Sequence, residues 1–215
     1  MCQKNKFEII QAISKQLPMR LIKTSFDFSS EAIKKDDVFL GRWCCKELND
    51  LNNGNIISNY HWDNRSKFYQ DYLYLDILYE QVLDEYVHIL NKIHNLNNNK
   101  RYWRIVIGTW LWKFLNIVFE RWNTLKEVSK KYKEINVDIL KYKKENFLPY
   151  GIEDFIYFTQ SDTWNNYIYT EIINNFQFHS ISKKVSNKIL LNEDINEIKK
   201  RIILNNSNYK NKIFD

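Results

Sequence analysis

The pattern of apolar and polar residues predicts two long helices in the middle of the chain. From Phe68 to Leu96, apolar residues recur at steps of four and three, with polar residues on the opposite side, as on an amphipathic helix. Three consecutive Asn residues, 97–99, interrupt the pattern, and a second periodic segment runs from Arg101 to Tyr132. Two long helices joined by so short a turn form an antiparallel hairpin, which we predict at about residues 66–132.

Shorter segments on either side of the hairpin predict strands, and therefore an α/β fold. Met19 to Phe26 and Asp37 to Gly41 have the composition of short buried strands, and Ile135 to Leu140 is compatible with a third. A further helix is predicted after Ser161 or Asp162, since either side chain can cap its first turn. Strands separated by helical segments favour a small, mostly parallel sheet.

The composition predicts one α/β domain at residues 1–178, followed by a polar, Lys- and Asn-rich tail at residues 179–215. The domain starts with an amphipathic helix that stops at Pro18, and the tail contains one helical pattern, from Ile195 to Ile203. With 44% hydrophobic residues but only 4 Gly and 2 Pro in 215 residues, the chain is expected to form packed helices rather than disordered segments.

Charge and cysteine content limit the partners and the compartment. A net charge of +6 and a pI near 9.0 permit an anionic nucleotide, a phosphorylated glycan or a membrane surface as partner. Nucleic acid is not expected, because no nucleic-acid-binding motif is present. Three cysteines without a C-x-x-C pair favour a reducing compartment. The chain starts without a secretory pattern, and its longest apolar run, Ile105 to Phe119, is too short to span a bilayer.

The sequence H-W-D-N-R, His61 to Arg65, places an imidazole, a carboxylate and a guanidinium directly before the first long helix. His61 and Asp63 are candidates for an acid and a base. Arg65, beside a helix N-terminus, is a candidate for binding a phosphate or carboxylate. The alternative interpretation is structural, with Asp63 or Ser66 capping the helix and no ligand involved.

The sequence K-R-Y-W-R, Lys100 to Arg104, places three cations and two aromatic rings at the start of the second helix. Arg101 and Arg104 share a helix face and together could bind a pyrophosphate or a sugar carboxylate. The alternative is an ion pair with Asp71 or Glu85 on the facing helix.

Other features suggest packing rather than chemistry. Gly108, inside an apolar helix, is explained by the close approach of a neighbouring helix. His88 and His94 do not have the spacing of metal ligands, and no Cys or carboxylate completes a set, so we predict no metal site. The usual nucleotide-binding and hydrolase motifs are absent from the sequence.

Five blocks of the sequence resemble successive segments of one family. They are F-L-G-R-W-C, N-Y-H-W-D-N-R-S-K-F-Y-Q-D-Y-L-Y-L, L-N-K-I-H-N-L-N-N-N-K-R-Y-W-R-I-V-I-G-T-W-L, F-E-R-W and S-D-T-W-N-N-Y-I-Y-T-E-I-I, in family order between Met19 and Phe176. The family is a transferase family found in bacterial surface-carbohydrate gene clusters and first noted in spirochaetes. Its members look like glycosyltransferases with two Rossmann-like domains, the GT-B-like kind.

The resemblance implies a cytoplasmic enzyme that transfers a sugar from a nucleotide-linked donor to a glycan or lipid-linked acceptor of lipopolysaccharide or capsule type. It implies no cofactor, because the activated donor is itself a substrate. The implied fold is the Rossmann-like amino-terminal half of a GT-B-like enzyme, dominated by helices and carrying the long antiparallel hairpin. Family members are longer, so a donor-binding carboxy-terminal half is an expected partner, and peripheral contact with a membrane is compatible with a lipid-linked acceptor.

The resemblance also extends the set of candidate site residues. The catalytic candidates remain His61 and Asp63, and the substrate-binding candidates are Gly41, Trp43, Arg65, Arg101, Trp103, Arg104, Asp162, Trp164 and Asn165. The chain departs from the family pattern at Arg42, where the family usually has Glu, and at Thr109, where it usually has Pro.

We therefore expect three segments to converge on one cleft: the turn from Gly41 to Trp43, the loop from His61 to Arg65 and the helix start from Arg101 to Arg104. To share one small ligand they must lie within about 15 Å of each other. The alternative function is a non-enzymatic helical interaction module or a degenerate half-enzyme. An apolar stripe left exposed on the hairpin would favour that alternative.

Overall fold

Five strands form one parallel sheet in the computed structural model, which describes residues 19–28, 33–45 and 56–191. They are β1 (Met19–Ile22), β2 (Val38–Phe39), β3 (Ile56–Ile57), β4 (Ile135–Lys141) and β5 (Ile181–Ile189). Their order in the sheet is β3-β2-β1-β4-β5, and every neighbouring pair is parallel. The α/β class predicted from the sequence is confirmed.

Within the described ranges, the strands are connected by four α-helices. They are α1 (Arg65–His94), α2 (Lys100–Lys131), α3 (Ile152–Thr159) and α4 (Asp162–Asn175). Leu21 and Val137 of the sheet belong to the same buried cluster as Leu125 of α2 and Ile168 of α4. The core therefore lies between the sheet and the halves of α2 and α4 that pack on it, as expected for buried parallel strands.

An asparagine caps the first long helix. The side chain of Asn64 accepts a hydrogen bond from the backbone N–H of Lys67, at 3.0 Å, and so satisfies one of the free amides at the start of α1. The predicted caps, Asp63 and Ser66, are wrong, because α1 begins at Arg65 and the residue directly before it takes the capping position.

Asparagines also explain the turn between the two long helices. Asn95 ends α1 in the left-handed conformation, with φ 52° and ψ 48°, which Asn tolerates better than most residues. Asn99 caps α2 by accepting a hydrogen bond from the backbone N–H of Tyr102, at 3.0 Å. The Asn-rich run therefore supplies both the stop signal of one helix and the start signal of the next.

The two long helices pack closely against each other. The rings of Tyr79 and Trp112 meet edge to face, with centroids 5.6 Å apart, and the ring centroids of Tyr74 and Phe119 also lie 5.6 Å apart. A Cβ atom added at Gly108 would lie 2.6 Å from the Tyr79 hydroxyl oxygen. Close helix packing, predicted as the reason for this glycine, is confirmed.

Replacing Gly108 with Ala tests this contact. With Tyr79 present, the new methyl group must displace a hydroxyl whose ring is held against Trp112, which offsets a helix-propensity gain of about 1 kcal/mol. In a Tyr79→Phe background the oxygen is absent, and we expect the same substitution to be more favourable by about 1 kcal/mol. Urea denaturation of the four proteins measures the difference. If the effects of the two substitutions on the free energy of unfolding are strictly additive, the contact between position 108 and the Tyr79 hydroxyl is contradicted.

Two segments differ from the sequence prediction. The predicted polar tail contains β5, which pairs with β4 from Ile135 and Ile181 onward, so the sheet extends past the predicted boundary at residue 178. Most side chains of β5 are exposed, which is why it lacks the apolar pattern of a buried strand. The helix α3 was also not predicted. The predicted helices before Pro18 and from Ile195 to Ile203 lie outside the described residues.

The order of the strands creates a crevice at one edge of the sheet. Because β1 lies between β2 and β4, the chain leaves β1 toward one side and returns on the other. In open parallel sheets, ligands commonly bind beyond the carboxyl ends of the strands at such a switch point. The segments that leave this edge are Lys23 to Phe28, Leu40 to Cys44 and Ser58 to Asp63.

A buried ion pair joins β1, β4 and α4 at the same edge. The Lys23 ammonium is fully buried and donates to Asp27 Oδ1 at 3.0 Å and to the backbone carbonyl of Asp138 at 2.7 Å. The Asn166 side-chain amide donates to the same carboxylate, at 2.8 Å. Each charge therefore has a partner, as burial requires.

Candidate functional site

A cavity of about 540 Å³ opens at the carboxyl edge of the sheet. It is bounded by the loops after β2 and β3, by the middle of α2 and by the junction of α3 and α4. Its lining residues are Trp43, Tyr60, Glu120, Arg121, Thr159, Gln160, Asp162, Asn165 and Tyr169. The cavity thus combines aromatic rings, two carboxyl groups and one guanidinium.

Trp43 and Tyr60 form an aromatic wall of the cavity. Their ring centroids lie 6.2 Å apart in an edge-to-face arrangement, and Trp43 remains 42% exposed. Its ring folds back over Gly41, where an added Cβ would lie 2.1 Å from the ring, so a larger residue at Gly41 would push the ring away. The predicted turn from Gly41 to Trp43 therefore borders the cavity, and it holds an aromatic face open to a ligand.

Glu120 is a largely buried carboxyl group of the cavity, with its side chain 13% exposed. Its Oε1 accepts a hydrogen bond from the Thr124 hydroxyl at 3.0 Å, and its Oε2 lies 3.3 Å from Arg121 Nη1. Burial raises the pKa of Glu120, and this effect outweighs the opposing influence of Arg121 and Thr124. A carboxyl group of raised pKa in a cavity is a candidate for exchanging a proton with a bound ligand.

Arg121 is held in a fixed position beside Glu120. Its Nε donates to Asn165 Oδ1 at 3.1 Å, and its Nη2 donates to the same oxygen. The Asn165 side-chain amide in turn donates to the carbonyls of Ser161 and Thr159, at 2.8 Å and 3.1 Å. Asn165 therefore orients the planar guanidinium, which can bind an anionic group in the cavity.

Asp162 lines the cavity and contacts the loop after β1. It occupies the first turn of α4, after Ser161, whose hydroxyl accepts a hydrogen bond from the backbone N–H of Trp164 at 3.0 Å. The prediction of a cap at Ser161 or Asp162 is thus confirmed for Ser161. The hydroxyl of Ser25 donates to Asp162 Oδ2. Asp162 and Asn165, both predicted from the sequence, line the same cavity as Trp43.

A second cavity, also about 540 Å³, adjoins the first and shares Tyr60 with it. His61 and Asp63 line this second cavity. His61 is buried, and its Nε2 lies 3.3 Å from the backbone carbonyl oxygen of Glu120 and 3.9 Å from its Oε1. Burial lowers the pKa of His61, and the nearby Lys67 lowers it further. The predicted imidazole therefore lies directly behind Glu120, whereas Asp63 is exposed.

The segment from Arg101 to Arg104 lies far from both cavities. Arg104 forms an ion pair with Glu80 on α1, with Nη2 and Oε2 2.6 Å apart. At 1.5 Å per residue, the stretch of α2 from Arg104 to Glu120 is about 24 Å long. The predicted convergence of all three segments on one cleft is therefore wrong, although Trp43 of the first segment and His61 of the second line adjoining cavities that share Tyr60. The alternative prediction, an ion pair with the facing helix, is confirmed for Arg104, although its partner is not one of the predicted carboxylates.

The partners of these cations differ from the predicted ones. Lys100 pairs with Glu80 and Asp84, at 2.9 Å and 2.7 Å, whereas Asp71 pairs instead with Lys67 of its own helix, at 2.8 Å. Arg101 is exposed. The reason is the helix register, which places Glu80 rather than Asp71 or Glu85 opposite the start of α2.

Three other predicted residues also lie outside the cavities. Trp103 is buried between the long helices, and its indole N–H donates to Asn91 Oδ1 at 2.9 Å. Trp164 is buried in the main core, and its indole N–H donates to the Phe147 carbonyl at 3.2 Å. Both rings sit on the core-facing sides of their helices and do not reach the cavity. Arg65 is exposed in the first turn of α1 and lines neither cavity.

The sequence analysis missed the residues at the centre of the cavity, Glu120 and Arg121. The signal that could identify them is the block F-E-R-W, which places two opposite charges in the segment directly after the apolar run from Ile105 to Phe119. Charges at that boundary are costly unless they are paired or functional. The role of Tyr60 was also missed, because a single tyrosine beside His61 carries no pattern.

The described residues lack two features that would bear on the candidate chemistry, a metal-ligand group and a membrane-spanning helix. In residues 19–28, 33–45 and 56–191, no group of three or more His, Cys, Asp or Glu side chains is placed to hold a metal ion. In the same described residues, no helix is long and apolar enough to cross a membrane.

Comparison with known proteins gives one match. A family model described as LIC12162 family transferase matches residues 19–215, a range that includes every strand and helix given above and both cavities. None of the curated proteins compared with the chain matches it, and no solved structure matches it.

Proposed function

The chain belongs to the LIC12162 family of transferases. From this premise we propose that it takes part in sugar transfer during the synthesis of a bacterial surface polysaccharide. The sugar moves from a nucleotide-linked donor to a glycan or lipid-linked acceptor. The observation that carries the proposal is the cavity at the carboxyl edge of the sheet. There an open tryptophan face, Trp43, lies beside a buried carboxyl group of raised pKa, Glu120, and a fixed guanidinium, Arg121.

The fold supports the part of this proposal that concerns a GT-B-like enzyme. The strand order β3-β2-β1-β4-β5 is that of a Rossmann-like sheet. Contacts pair Glu80 with Lys100 and Asp71 with Asn123, an order that supports the antiparallel hairpin. In the proposed enzyme this region is the amino-terminal half, which binds the acceptor, and a carboxy-terminal half binds the donor. The buried Cys44 side chain is a thiol rather than part of a disulfide, which supports a reducing, cytoplasmic location.

The proposed reaction assigns one step to each group of the cavity. An acceptor hydroxyl attacks the anomeric carbon of the donor sugar, and the bond from that carbon to the donor phosphate breaks. Glu120 accepts the hydroxyl proton, and the nucleotide leaves with the electron pair of the broken bond. Arg121 offers its positive charge to the anionic substrate groups, and Trp43 positions the sugar ring by contact with its apolar face. No metal ion or cofactor enters this step.

The second cavity has a supporting role in this proposal. It shares Tyr60 with the first cavity, so a glycan longer than one sugar can occupy both. Burial raises the pKa of Tyr60 to about 12, so its hydroxyl remains a hydrogen-bond donor at neutral pH. We propose that His61 positions Glu120 from behind, and that Asp63, at the exposed rim, contacts the distal part of the acceptor.

The function can be tested by turnover of activated sugars. The purified protein is incubated with a panel of nucleotide sugars and a mixture of bacterial surface glycans, and nucleotide release and sugar incorporation are measured. Trp43→Ala is expected to raise KM for the acceptor about tenfold with little change in kcat, because it removes a binding face but no reacting group. Tyr150→Ala is the matched control, since Tyr150 is fully exposed and lines neither cavity.

The outcomes separate the proposal from its alternatives. Incorporation of sugar that depends on Trp43 and not on Tyr150 supports the assignment. Absence of turnover with every nucleotide sugar, or equal behaviour of the two variants, contradicts it.

A further inference from the structure

The connected ends of α1 and α2 expose a group of apolar side chains. We call residues 86–106 the tip. Its exposed apolar residues are Ile89, Ile93, Leu96, Tyr102, Ile105 and Val106. Those on the helices lie within about 9 Å of the helix ends, at 1.5 Å per residue. Ile93 and Ile105 are 68% and 77% exposed, an unusual state for Ile in two well-packed helices.

The exposure is not the result of loose packing at the tip. Asn91 donates to the carbonyl of Asn98 at 2.8 Å and accepts hydrogen bonds from the backbone N–H of Asn98 and the indole of Trp103, at 3.0 Å and 2.9 Å. Trp103 also packs with Leu83 and Leu111 in a buried cluster between the helices. Asn91 and Trp103 therefore anchor the tip to the core between the helices, and the outward apolar residues are held in place around them.

The Lys, Arg, Asp and Glu residues within the tip are all cations, whereas the carboxylates Glu80, Asp84 and Glu85 lie on α1 directly before it. No Asp or Glu occurs from residue 86 to residue 119, whereas this stretch contains Lys92, Lys100, Arg101, Arg104 and Lys113. Lys100 and Arg104 point back to Glu80 and Asp84, behind the tip. Lys92 and Arg101 are exposed among the apolar side chains of the tip. The surface is therefore both apolar and cationic.

We propose that the tip binds the surface of a bilayer that contains anionic lipids. Apolar side chains can enter the region between headgroups and acyl chains, while neighbouring Lys and Arg extend their charged ends to the lipid phosphates. The absence of carboxylates in the segment removes the repulsion that an anionic surface would otherwise exert. The proposed contact is peripheral, because it is made by side chains at the surface of the tip. The inference rests on the exposed apolar side chains and the cations of the tip, and it does not depend on the proposed sugar transfer.

A bilayer explains the tip better than a protein partner. Protein-binding surfaces usually combine apolar residues with charges of both signs at the rim, and the tip lacks acidic residues altogether. Tyr102, with an apolar ring and a polar hydroxyl, is also of the residue type that is enriched at membrane interfaces.

Vesicle binding tests the proposal. The full chain is sedimented with vesicles of phosphatidylcholine, either alone or with about one third phosphatidylglycerol. The wild-type protein is expected to partition at least about tenfold more strongly into the anionic vesicles, and salt is expected to weaken this binding. The double variant Ile93→Ser/Ile105→Ser is expected to lose at least about tenfold of the partitioning. Ile77→Ser is the matched control, since Ile77 is 61% exposed on α1 but lies about 25 Å from the end of that helix.

The vesicle-binding results either support the proposal or overturn it. Loss of binding in the tip variant but not in Ile77→Ser supports the proposal, provided that both variants unfold at the wild-type temperature. Equal partitioning into both kinds of vesicle, or unchanged binding of the tip variant, overturns it. A concentration-dependent dimer without lipid, abolished by the tip substitutions in analytical ultracentrifugation, also overturns it, because a second copy of the chain then covers the tip.

Discussion

Replacing Glu120 with Gln is expected to lower kcat/KM for sugar transfer by about 10²- to 10⁴-fold, the usual contribution of a general base. Gln keeps the shape of the side chain and can still accept a hydrogen bond from the Thr124 hydroxyl, which donates to Glu120 Oε1. It cannot accept the proton of the acceptor hydroxyl. The measurement is steady-state incorporation of sugar, with the donor identified by the nucleotide-sugar panel.

The same substitution has the opposite effect on stability. Burial raises the pKa of Glu120 in the folded protein, so its contribution to stability is present below the unfolded pKa of about 4.3. That contribution is lost as the pH rises through the folded pKa, because the ionised carboxylate is then held in a poorly hydrated site. We therefore expect Glu120→Gln to be more stable than the wild type at neutral pH, and the two proteins to converge below about pH 4. Thermal unfolding across the pH range measures this.

Controls distinguish a base from a packing residue. Glu85→Gln changes an exposed carboxylate on α1 that lines neither cavity, and it is expected to leave activity within about twofold. If Glu120→Gln loses activity and also loses stability at neutral pH, Glu120 is structural. If Asp162→Asn removes activity and Glu120→Gln does not, the base is Asp162.

Replacing Lys23 with Met is expected to lower the free energy of unfolding by about 3–5 kcal/mol, the typical effect of removing one partner of a buried ion pair. Asp27 then keeps a buried negative charge without its cation, and the carbonyl of Asp138 loses a hydrogen-bond donor. Since small domains are stable by about 5–15 kcal/mol, the loss is a large fraction of the total. Urea denaturation measures it.

Two comparisons make this prediction specific. Lys144→Met removes an exposed cation that pairs with Glu171 at 3.0 Å, and we expect it to leave the free energy of unfolding almost unchanged. Adding Asp27→Asn to Lys23→Met removes the uncompensated charge, so the double variant is expected to regain about 1 kcal/mol or more over the sum of the single effects. A loss for Lys23→Met no larger than that for Lys144→Met would contradict the buried pair.

Much of the fold follows from local signals in the sequence. The three-and-four spacing from Phe68 onward, the Asn-rich turn and the Ser161 cap act within one or two helical turns, so α1, α2 and α4 could be predicted. The edge strand β5 could not. Its side chains are largely exposed, and what fixes it is backbone pairing with β4, which leaves no hydrophobic pattern in the sequence.

The residues of the candidate site could be predicted only in part from the sequence. Trp43, Asp162 and Asn165 were predicted from the family resemblance rather than from a local pattern, and they line one cavity. Arg104 was assigned to it from its charge, its helix face shared with Arg101 and the family resemblance, and none of these gives its distance from the cavity. Placing Glu120 there requires the packing of the middle of α2 on the sheet edge, which depends on the tertiary structure and not on any single motif.

The pairing of β1 with β4 has a consequence for how the chain folds. Met19 pairs directly with Ile135, so this contact must wait until everything between them has become compact. Closing so long a loop from an unfolded chain is entropically unfavourable, whereas α1 and α2 form from neighbouring residues and bring the ends of the intervening segment together. We therefore expect the helix pair to assemble early and the parallel sheet to close around it late, as the rate-limiting event.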